Sequence, residues 1–325
     1  MFRYILRRFA ASILTLWAST VIVFWLVCLS GDPLGELRMN PHLSHETLLL
    51  RIHALHLDKS IPVRYWIWFK GLLHGSLGIN LEGQVIRSGI ASALQITLRM
   101  VVVATLLAIV IAVVTGVLAA VRRGGILDRS FSFINFVLLA TPTFVIGLVL
   151  KLYVALPINQ AAGSYVLPVN GSQSPTLTGS FWHRLPDYAI HMLMPTLTLT
   201  LVSYSSWAIY QRSSFLEAMD MDHVRLARSK GLSPRRVLVR HILRNAMIPV
   251  VTVVALDFAG ILGGAIITES VYSWNGMGHW FISAVGATDV YAMVAYLLIT
   301  ALFIIVFNLL TDVAYAILDP RIRYA

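Results

Sequence analysis

Long apolar runs constrain this chain more than any other feature of its sequence. There are six, at residues 9–29, 98–121, 131–155, 189–211, 247–268 and 291–315. Each is about 20 residues long, which at 1.5 Å per residue matches a hydrocarbon core of about 30 Å. Because lipid leaves backbone polar groups without water, a run of this kind has to be helical. The sequence predicts an all-α integral membrane protein with six transmembrane helices.

The charge distribution predicts the orientation of these helices. The chain has 325 residues, of which 58% are hydrophobic and 12% charged, and a net charge of +10. A soluble domain carries about 25% charged residues. The Lys and Arg residues cluster at the ends of apolar runs, above all in residues 212–246, here called the basic loop. The positive-inside rule therefore places this loop and both termini in the cytoplasm, and no nucleic-acid partner is expected.

The basic loop has a helix–break–helix pattern. Asp220 or Asp222 is expected to cap a short helix, because a carboxylate accepts the free N–H groups of the first turn. Met221, Val224 and Ala227 then fall on one face of that helix. The pattern alone is also typical of an amphipathic helix that lies on an anionic lipid surface, and that alternative stays open at this point.

The end of this short helix is marked by cations and a glycine. Arg225, Arg228 and Lys230 suit the negative end of the helix dipole, and Gly231 is expected at the position after the helix, with positive φ. The pair 233–234, Ser-Pro, predicts a new helix that runs into the next apolar segment.

The basic loop also carries a family resemblance. Residues 225–231, Arg-Leu-Ala-Arg-Ser-Lys-Gly, resemble the cytoplasmic EAA loop of ABC importer permeases, in the form found in the dipeptide/oligopeptide permease family. Ala227 and Gly231 stand at the family's signature Ala and Gly. Arg225 replaces the leading Glu of the general pattern, and the pattern's I-x-L-P is absent at its usual spacing, with Pro249 the proline that comes nearest to that place. Both departures favour the peptide-type branch.

Further segments resemble the same family, so the likeness covers most of the chain. They are GDPLGE at 31–36, residues 55–78, RRGGILDR at 122–129, ITESVYSWNGMG at 267–278 and LDPRIR at 318–323. The resemblance implies a type I ABC importer permease fold in the cell membrane, as one subunit of an ATP-driven peptide importer. Its implied partners are a second permease subunit, two P-loop ATPase subunits that bind ATP and Mg, an extracytoplasmic peptide-binding protein, the peptide cargo and membrane lipid.

The resemblance also assigns roles to residues. It implies that the short helix is a coupling helix that docks in a groove of an ATPase subunit. The coupling residues expected on this basis are Asp220, Asp222, Val224, Arg225, Ala227, Arg228, Lys230 and Gly231.

The fourth apolar run is unusually polar. Thr196, Thr200, Ser203 and Trp207 follow helical spacing along one stripe. Such a stripe predicts a wetted wall of a translocation path, and the alternative is hydrogen bonding between helices.

The fifth run contains Asp257, which is expected to face the bundle interior as a path-lining or gate residue, or else to pair structurally. Gly260 and Gly264 form a G-x-x-x-G that predicts close helix packing. Just beyond this run, Glu269, Tyr272 and Trp274 are predicted to act at the outer gate or to contact the binding protein.

Outside the membrane, residues 30–95 form a predicted extracytoplasmic loop subdomain. Leu48, Leu49, Ile52 and Leu55 predict an amphipathic helix there, and Trp66, Trp68 and Phe69 an interfacial anchor. Two histidine pairs, His42/His45 and His53/His56, have helical spacing, but without further ligands no metal site is predicted. In the third run, Thr141-Pro142-Thr143 predicts a kink, and residues 157–186 an irregular outer loop.

No enzymatic motif is present in the sequence. It lacks G-x-x-x-x-G-K-[ST], H-E-x-x-H and G-x-S-x-G, so no catalytic residue and no cofactor of its own is expected. Two alternatives remain. The same architecture serves other cargoes, such as nickel chelates, glutathione or haem, and a stand-alone channel or secondary transporter has a similar composition. The latter usually carries paired charges at mid-bilayer or inverted repeats, and only Asp257 is seen here.

Overall fold

The chain is described by a computed structural model over residues 2–31, 33–35, 38, 44–175 and 177–318. Its helices are α1 (Phe2–Ser30), α2 (His45–Ala54), α3 (Ile61–Leu73), α4 (Ile86–Val121), α5 (Ile126–Ala140), α6 (Thr143–Val149), α7 (Leu156–Ala162), α8 (Phe181–Met219), α9 (Asp222–Ser229), α10 (Pro234–Arg236), α11 (Arg244–Val271), α12 (Met277–Gly286) and α13 (Val290–Leu318). Two π-helical segments, Leu150–Ala155 and Val237–Leu243, join α6 to α7 and α10 to α11. His42 and residues 319–323 of the predicted tail segment lie outside the described residues.

Among the described residues, five stretches of helix are long and apolar enough to cross a membrane. They are Ala10–Ser30, Ile86–Val121, Thr143–Ala162, Pro234–Phe258 and Val290–Leu309. The predicted run 189–211 lies inside the 39-residue α8, whose Thr, Ser and Tyr side chains lower its hydropathy. The chain is thus a helical multi-pass membrane protein, while the count of six spans and the cytoplasmic termini stay predictions.

The third predicted run is broken rather than kinked. Helix α5 ends at Ala140, Thr141 is extended (φ −90°, ψ 125°), and Pro142 stands just before α6. Proline disfavours the helical conformation in the residue before it, which explains the break. The Thr141 hydroxyl donates to the Val137 carbonyl oxygen at 2.7 Å, as expected for a threonine beside a proline. The apolar stretch accordingly shifts toward α6 and α7.

The chain divides into two compact units. Unit 1 comprises Met1–Thr97 and Asn275–Ile305, and unit 2 comprises Leu98–Trp274 and Val306–Ala325. The basic loop and the polar stripe of α8 both belong to unit 2.

Unit 1 is organised around an aromatic cluster. The ring of Phe24 in α1 meets the edge of Tyr65 in α3, with centroids 5.4 Å apart, and lies 6.0 Å from Tyr291 in α13. The hydroxyl of Tyr65 bonds to that of Thr20 at 3.0 Å, and Tyr291 donates to the Leu55 carbonyl oxygen at 2.8 Å. Each buried phenol thus has a partner, as burial in an apolar setting requires.

The packing of this cluster shows that one prediction for residues 30–95, the interfacial anchor, is wrong for Trp68. Trp68 is buried and donates to the Leu77 carbonyl oxygen at 3.2 Å, so it belongs to the core and not to an interfacial anchor; only Trp66 is well exposed. The cause is the packing of α3 on α1.

The helices also extend into two predicted loops. Helix α4 begins at Ile86, inside the predicted loop 30–95, and α7 and α8 extend into the predicted irregular loop 157–186, because polar residues at membrane ends continue the helices.

Unit 2 packs α4 and α8 closely at Gly116. A Cβ atom built on Gly116 would lie 2.8 Å from both Cβ and Cγ of Gln211 and 3.0 Å from the Ala208 carbonyl oxygen. No side chain fits this contact without movement of α8. Gly260, in contrast, is exposed and has open space around it, so the predicted packing role of its G-x-x-x-G is wrong for this residue within the chain.

These two glycines give a matched pair of variants. We expect Gly116→Ala to lower the free energy of unfolding by about 1–3 kcal/mol, because the added methyl group overpacks the α4–α8 contact. Gly260→Ala should be neutral or stabilising by about 0.5–1 kcal/mol, because alanine is the better helix residue. Thermal unfolding of the purified chain in detergent measures both. Equal stability of the two variants would contradict the close approach at Gly116.

Candidate coupling helix and polar residues of unit 2

Helix α9 does not begin with the predicted carboxylate cap. Met221 is the N-cap, with extended backbone (φ −69°, ψ 146°) and no side-chain hydrogen bond. Asp220 instead closes the C-terminus of α8, and Asp222 is the first residue of α9. The reason is that α8 continues to Met219, well beyond the end of the predicted run 189–211. Asp222 still lies in the first turn, where a negative charge favours the helix dipole.

The other end of α9 follows the sequence prediction. Gly231 has φ +72°, its N–H donates to the Arg228 carbonyl oxygen, and the Leu232 N–H reaches back to the Ala227 carbonyl oxygen at 3.3 Å. This is the hydrogen-bond pattern of a glycine that ends a helix. Ser233 is then the N-cap of α10, which leads through the second π-helical segment into α11. The loop therefore turns sharply at one glycine.

The inner face of α9 is seated in an apolar cluster, here called the seat. Val224 is 0% exposed and Ala227 is 4% exposed. The buried residues that pack with them come from the ends of α4 and α8, the second π-helical segment and α11: Ala120, Phe215, Ala218, Val237, Ile242 and Ala246. Val224 and Ala227 thus hold the helix on the chain and are not available to a partner.

The outer face of α9 is charged and exposed. The Arg225 side chain is 70% exposed, and its Nη1 lies 3.7 Å from Oδ1 of the fully exposed Asp222. Water and salt screen an exposed pair of this kind, so it does not restrain either side chain. Arg228 and Lys230 are exposed as well. Among the predicted coupling residues, the charged ones are therefore those that face outward.

Two apolar side chains on the outer face were not predicted. Met221, which the sequence pattern assigned to the inner face, is 41% exposed, and Leu226 is 55% exposed. Met221 points away from the seat because it precedes the helix and has extended backbone. The outer face thus combines cations with apolar contact area, as surfaces that bind another protein do. The only sequence signal was the presence of two large apolar residues beside the charges.

A polar contact ties α9 to the beginning of α11. His223 Nε2 lies 2.9 Å from Asn245 Nδ2 and 3.1 Å from the His241 carbonyl oxygen. Asn245 Nδ2 also donates to that carbonyl at 3.1 Å. Because His241 lies in the π-helical segment, this contact links α9 to the element that feeds the next apolar stretch.

The predicted stripe on α8 is largely buried inside unit 2. Thr196, Thr200 and Trp207 are 4% exposed or less, and Ser203 is partly exposed. The Thr200 hydroxyl donates to the Ala104 carbonyl oxygen of α4 at 3.3 Å, which is a contact between helices. The Thr196 hydroxyl has no hydrogen-bond partner within the described part of the chain. In this conformation the alternative of interhelical hydrogen bonding fits Thr200.

Asp257 pairs with a neutral partner. Nε1 of Trp207, a fully buried side chain, donates to Asp257 Oδ2 at 2.9 Å. Asp257 itself is partly exposed. The carboxylate therefore satisfies the only hydrogen-bond donor of a buried indole and still reaches the surface of unit 2.

The residues predicted at the outer gate are all buried. Glu269, Tyr272 and Trp274 are 2% exposed or less. The Tyr272 hydroxyl donates to the Gly147 carbonyl oxygen at 3.0 Å and lies 3.0 Å from the Thr198 hydroxyl. Tyr272 thus joins the segment that follows α11 to α6 and α8.

Sequence reasoning missed Lys151, in the first π-helical segment. Its Nζ donates at 2.8 Å to both the Val271 carbonyl oxygen, at the end of α11, and Asn170 Oδ1. A cation is favourable at a helix C-terminus, which explains how an apolar stretch accommodates it. The Gly171 N–H then donates to the Tyr272 carbonyl oxygen at 3.0 Å, so the segment after α7 is fastened to the end of α11. A lone lysine in an apolar run was the available signal.

The described residues contain no group of three or more His, Cys, Asp or Glu side chains that could hold a metal ion. His53 and His56 belong to α2 and the turn after it.

The Asp257–Trp207 contact predicts how substitutions behave. We expect Asp257→Asn to fold with near-normal stability, because an amide oxygen still accepts the indole N–H. Asp257→Leu should cost about 1–3 kcal/mol, because it leaves a buried donor without a partner. Thermal unfolding of the two variants in detergent tests this. Complete loss of folding in Asp257→Asn would indicate that the negative charge itself is required.

Comparison with known proteins connects this geometry to a family. Residues 112–324 match the family described as "Binding-protein-dependent transport system inner membrane component", and residues 1–83 match the N-terminal part of the corresponding membrane component. The oligopeptide transport system permease protein OppB of Mycobacterium bovis is 33% identical, with 99% of each chain covered. The dipeptide transport system permease protein DppB of Escherichia coli is 34% identical over 100% of this chain and 99% of its own.

A putative peptide permease of Brucella suis is 36% identical, with 99% of each chain covered. Among solved structures, the MetNI methionine ABC transporter in inward-facing conformations matches 71% of this chain and 96% of its own, with a TM-score of 0.55 and 16% identity. The fold is thus the type I fold of ABC importer permeases, a non-catalytic membrane component. The chain belongs to the family of inner membrane components of binding-protein-dependent transport systems.

Proposed function

We propose that this chain is the membrane-spanning permease subunit of an ATP-driven peptide importer. The observation that carries the proposal is the two-faced α9: its inner face is seated on the chain by Val224 and Ala227, while its outer face presents exposed cations. A short helix whose inner face packs on its own chain and whose outer face is exposed to solvent is suited to dock in a groove of a partner ATPase. The names of the curated relatives support peptides as the cargo.

The mechanism follows from this placement. ATP, with Mg, binds and closes the pair of partner ATPase subunits, and α9 moves with the groove in which it sits. Because the seat joins α9 to α8 and to α11 by way of the π-helical segment, the movement reaches those helices directly. They reorient a path shared with a second permease subunit between inward and outward access. An extracytoplasmic binding protein delivers the peptide.

We further propose roles in this path for the polar residues of unit 2. Ser203 and Asp257 are partly exposed and are assigned to its wall, where they offer hydrogen bonds to peptide groups. The buried Glu269, Tyr272 and Trp274 are assigned to the closed outer end. They become accessible only if the end of α11 separates from α6 and α8.

The test of the proposal is a co-purification with the transporter's ATPase and binding-protein subunits. We expect the ATPase subunits to accompany the chain, and ATP turnover to rise with peptide-loaded binding protein. The double charge reversal Arg225→Glu/Arg228→Glu should abolish that rise and weaken the association, because both cations lie on the outer face of α9.

The matched control is Arg235→Glu/Arg236→Glu, which makes the same charge change on α10 at exposed positions. It should keep most of the stimulation. If the chain purifies without ATPase subunits and moves solute without ATP, the proposal fails. Stimulation by a binding protein loaded with a different cargo would retain the permease role and replace the peptide.

Gly231 gives a second prediction, at the turn that ends α9. Gly231→Pro should uncouple ATP turnover from uptake, because proline cannot adopt φ +72° and loses the N–H that donates to Arg228. Gly231→Asn is the control, since asparagine tolerates this conformation best among the other residues. Uptake and membrane insertion are measured for both. Normal uptake by the proline variant would contradict a rigid coupling helix.

A further inference from the structure

An ion pair between a buried Asp128 and a partly exposed Arg212, whose side chain is 32% exposed, lies beside the seat and has no role in the function proposed so far. Arg212, near the end of α8, donates from Nε to Asp128 Oδ1 at 2.6 Å and from Nη2 to Oδ2 at 2.9 Å. Asp128 lies in the first turn of α5 and is 4% exposed. Its Oδ2 also accepts the Gly124 N–H at 2.8 Å. One carboxylate thus joins the turn between α4 and α5 to the end of α8.

The charge state of this pair is secure at neutral pH. The hydrogen bonds from Arg212, with the one from Gly124, hold the pKa of Asp128 below its usual range, although burial acts in the opposite direction. The pair therefore stays charged at any pH above the usual pKa of an aspartate. The ion pair is lost only when the pH falls through the lowered pKa of Asp128, where the carboxylate becomes protonated.

The residue before Arg212 fixes α8 on the other side. Gln211 is 0% exposed and packs against Gly116 of α4 at the distance that leaves no room for a Cβ atom. Two successive residues of α8 thus contact α4 and α5. The seat begins immediately after them, at Phe215. The end of α8 therefore contacts α4, α5 and the rest of the seat within residues 211–215.

An ion pair that takes a carboxylate out of water is a poor way to increase stability, even where the guanidinium stays partly exposed as in Arg212. Removing two charges from water costs several kcal/mol, and apolar replacements of similar volume are often neutral or stabilising. What the pair provides is a fixed orientation of α8 relative to α5. A guanidinium bound through two nitrogens to both carboxylate oxygens fixes the relative position of the two helices that carry them. Its contribution is thus expected in geometry more than in the free energy of unfolding.

We infer that Arg212 and Asp128 are positioning residues that make α5 part of the body that moves with α9. The ATP-driven movement of α9 is then passed to α4, α5 and α8 together, and not only to the two helices that flank the basic loop. This inference rests on the proposed function, since it requires an ATP-driven movement of α9. It adds a transmission element that lies outside the ATPase contact and outside the path.

The test measures the distance between spin labels on α5 and α9 in the complete transporter. The chain has a single cysteine, Cys28, so the background Cys28→Ala with Ser130→Cys and Ser229→Cys carries one label on each helix. Both serines are exposed. We expect the same distance in the nucleotide-free and the vanadate-trapped state. In Arg212→Gln the distance should change with nucleotide, and uptake per ATP should fall about 5-fold or more.

Two further variants separate geometry from charge and from folding. Arg212→Lys keeps the charge but loses the two-pronged contact, so it should behave like Arg212→Gln. Asp128→Leu/Arg212→Met keeps an apolar volume and should remain folded, with normal thermal stability but low uptake per ATP. Arg129→Gln, at the exposed neighbour of Asp128, is the control and should have no effect.

Several results would overturn the inference. One is a distance in the unsubstituted pair that changes with nucleotide while ATPase stimulation is intact, which would leave the proposed function standing. A second is an Arg212→Gln variant with unchanged uptake per ATP. A third is failure of Arg212→Gln to assemble together with unfolding of Asp128→Leu/Arg212→Met, because the pair would then be needed for folding and not for positioning. If no ATPase subunit binds the chain at all, the proposed function fails, and the inference fails with it.

Discussion

The burial of two small side chains, Val224 and Ala227, is the interaction on which the account of this permease depends. Helix α9 has 8 residues, and an isolated helix shorter than about 12–15 residues is marginal in water. Its stability must therefore come from the seat. Because the seat is built from α4, α8, the π-helical segment and α11, a force applied to α9 is passed to those elements without a flexible joint.

This arrangement separates two tasks that share one short sequence. The inward face of α9 is apolar and satisfied by the chain itself, so it needs no partner to fold. The outward face carries weakly restrained cations beside Met221 and Leu226, which suits a surface that is covered only in the assembled transporter. Farther along unit 2, two ionisable side chains have uncharged hydrogen-bond partners: Asp257 accepts from the Trp207 indole, and Lys151 donates to the Val271 carbonyl oxygen and to Asn170 Oδ1. The bundle thus tolerates ionisable groups without buried opposite charges at these two positions.

The sequence predicted those features that depend on near neighbours in the chain. Gly231 as a helix terminator, the Ser-Pro restart and the burial of Val224 and Ala227 follow from local backbone and periodicity, whereas Met221 lies outside the periodic part of α9 and was assigned to the wrong face. It could not predict the Asp128–Arg212 pair, because residues so far apart in the chain meet only through the packing of α5 on α8. Trp68 looked like an interfacial aromatic for the same reason, since its burial depends on α1 and α13. Lys151 was overlooked because its partner is a main-chain carbonyl, which leaves no mark in a sequence.

The claim that α9 is formed and seated before any partner binds can be tested by hydrogen–deuterium exchange on the purified chain in detergent. We predict that amides of residues 225–232 are protected in the chain alone, because the seat stabilises α9, and that Val224→Ala reduces this protection. Further protection on binding of ATPase subunits should be small. Full exchange in the free chain, with protection appearing only in the complex, would show that the partner folds the helix and would contradict a preformed rigid connection.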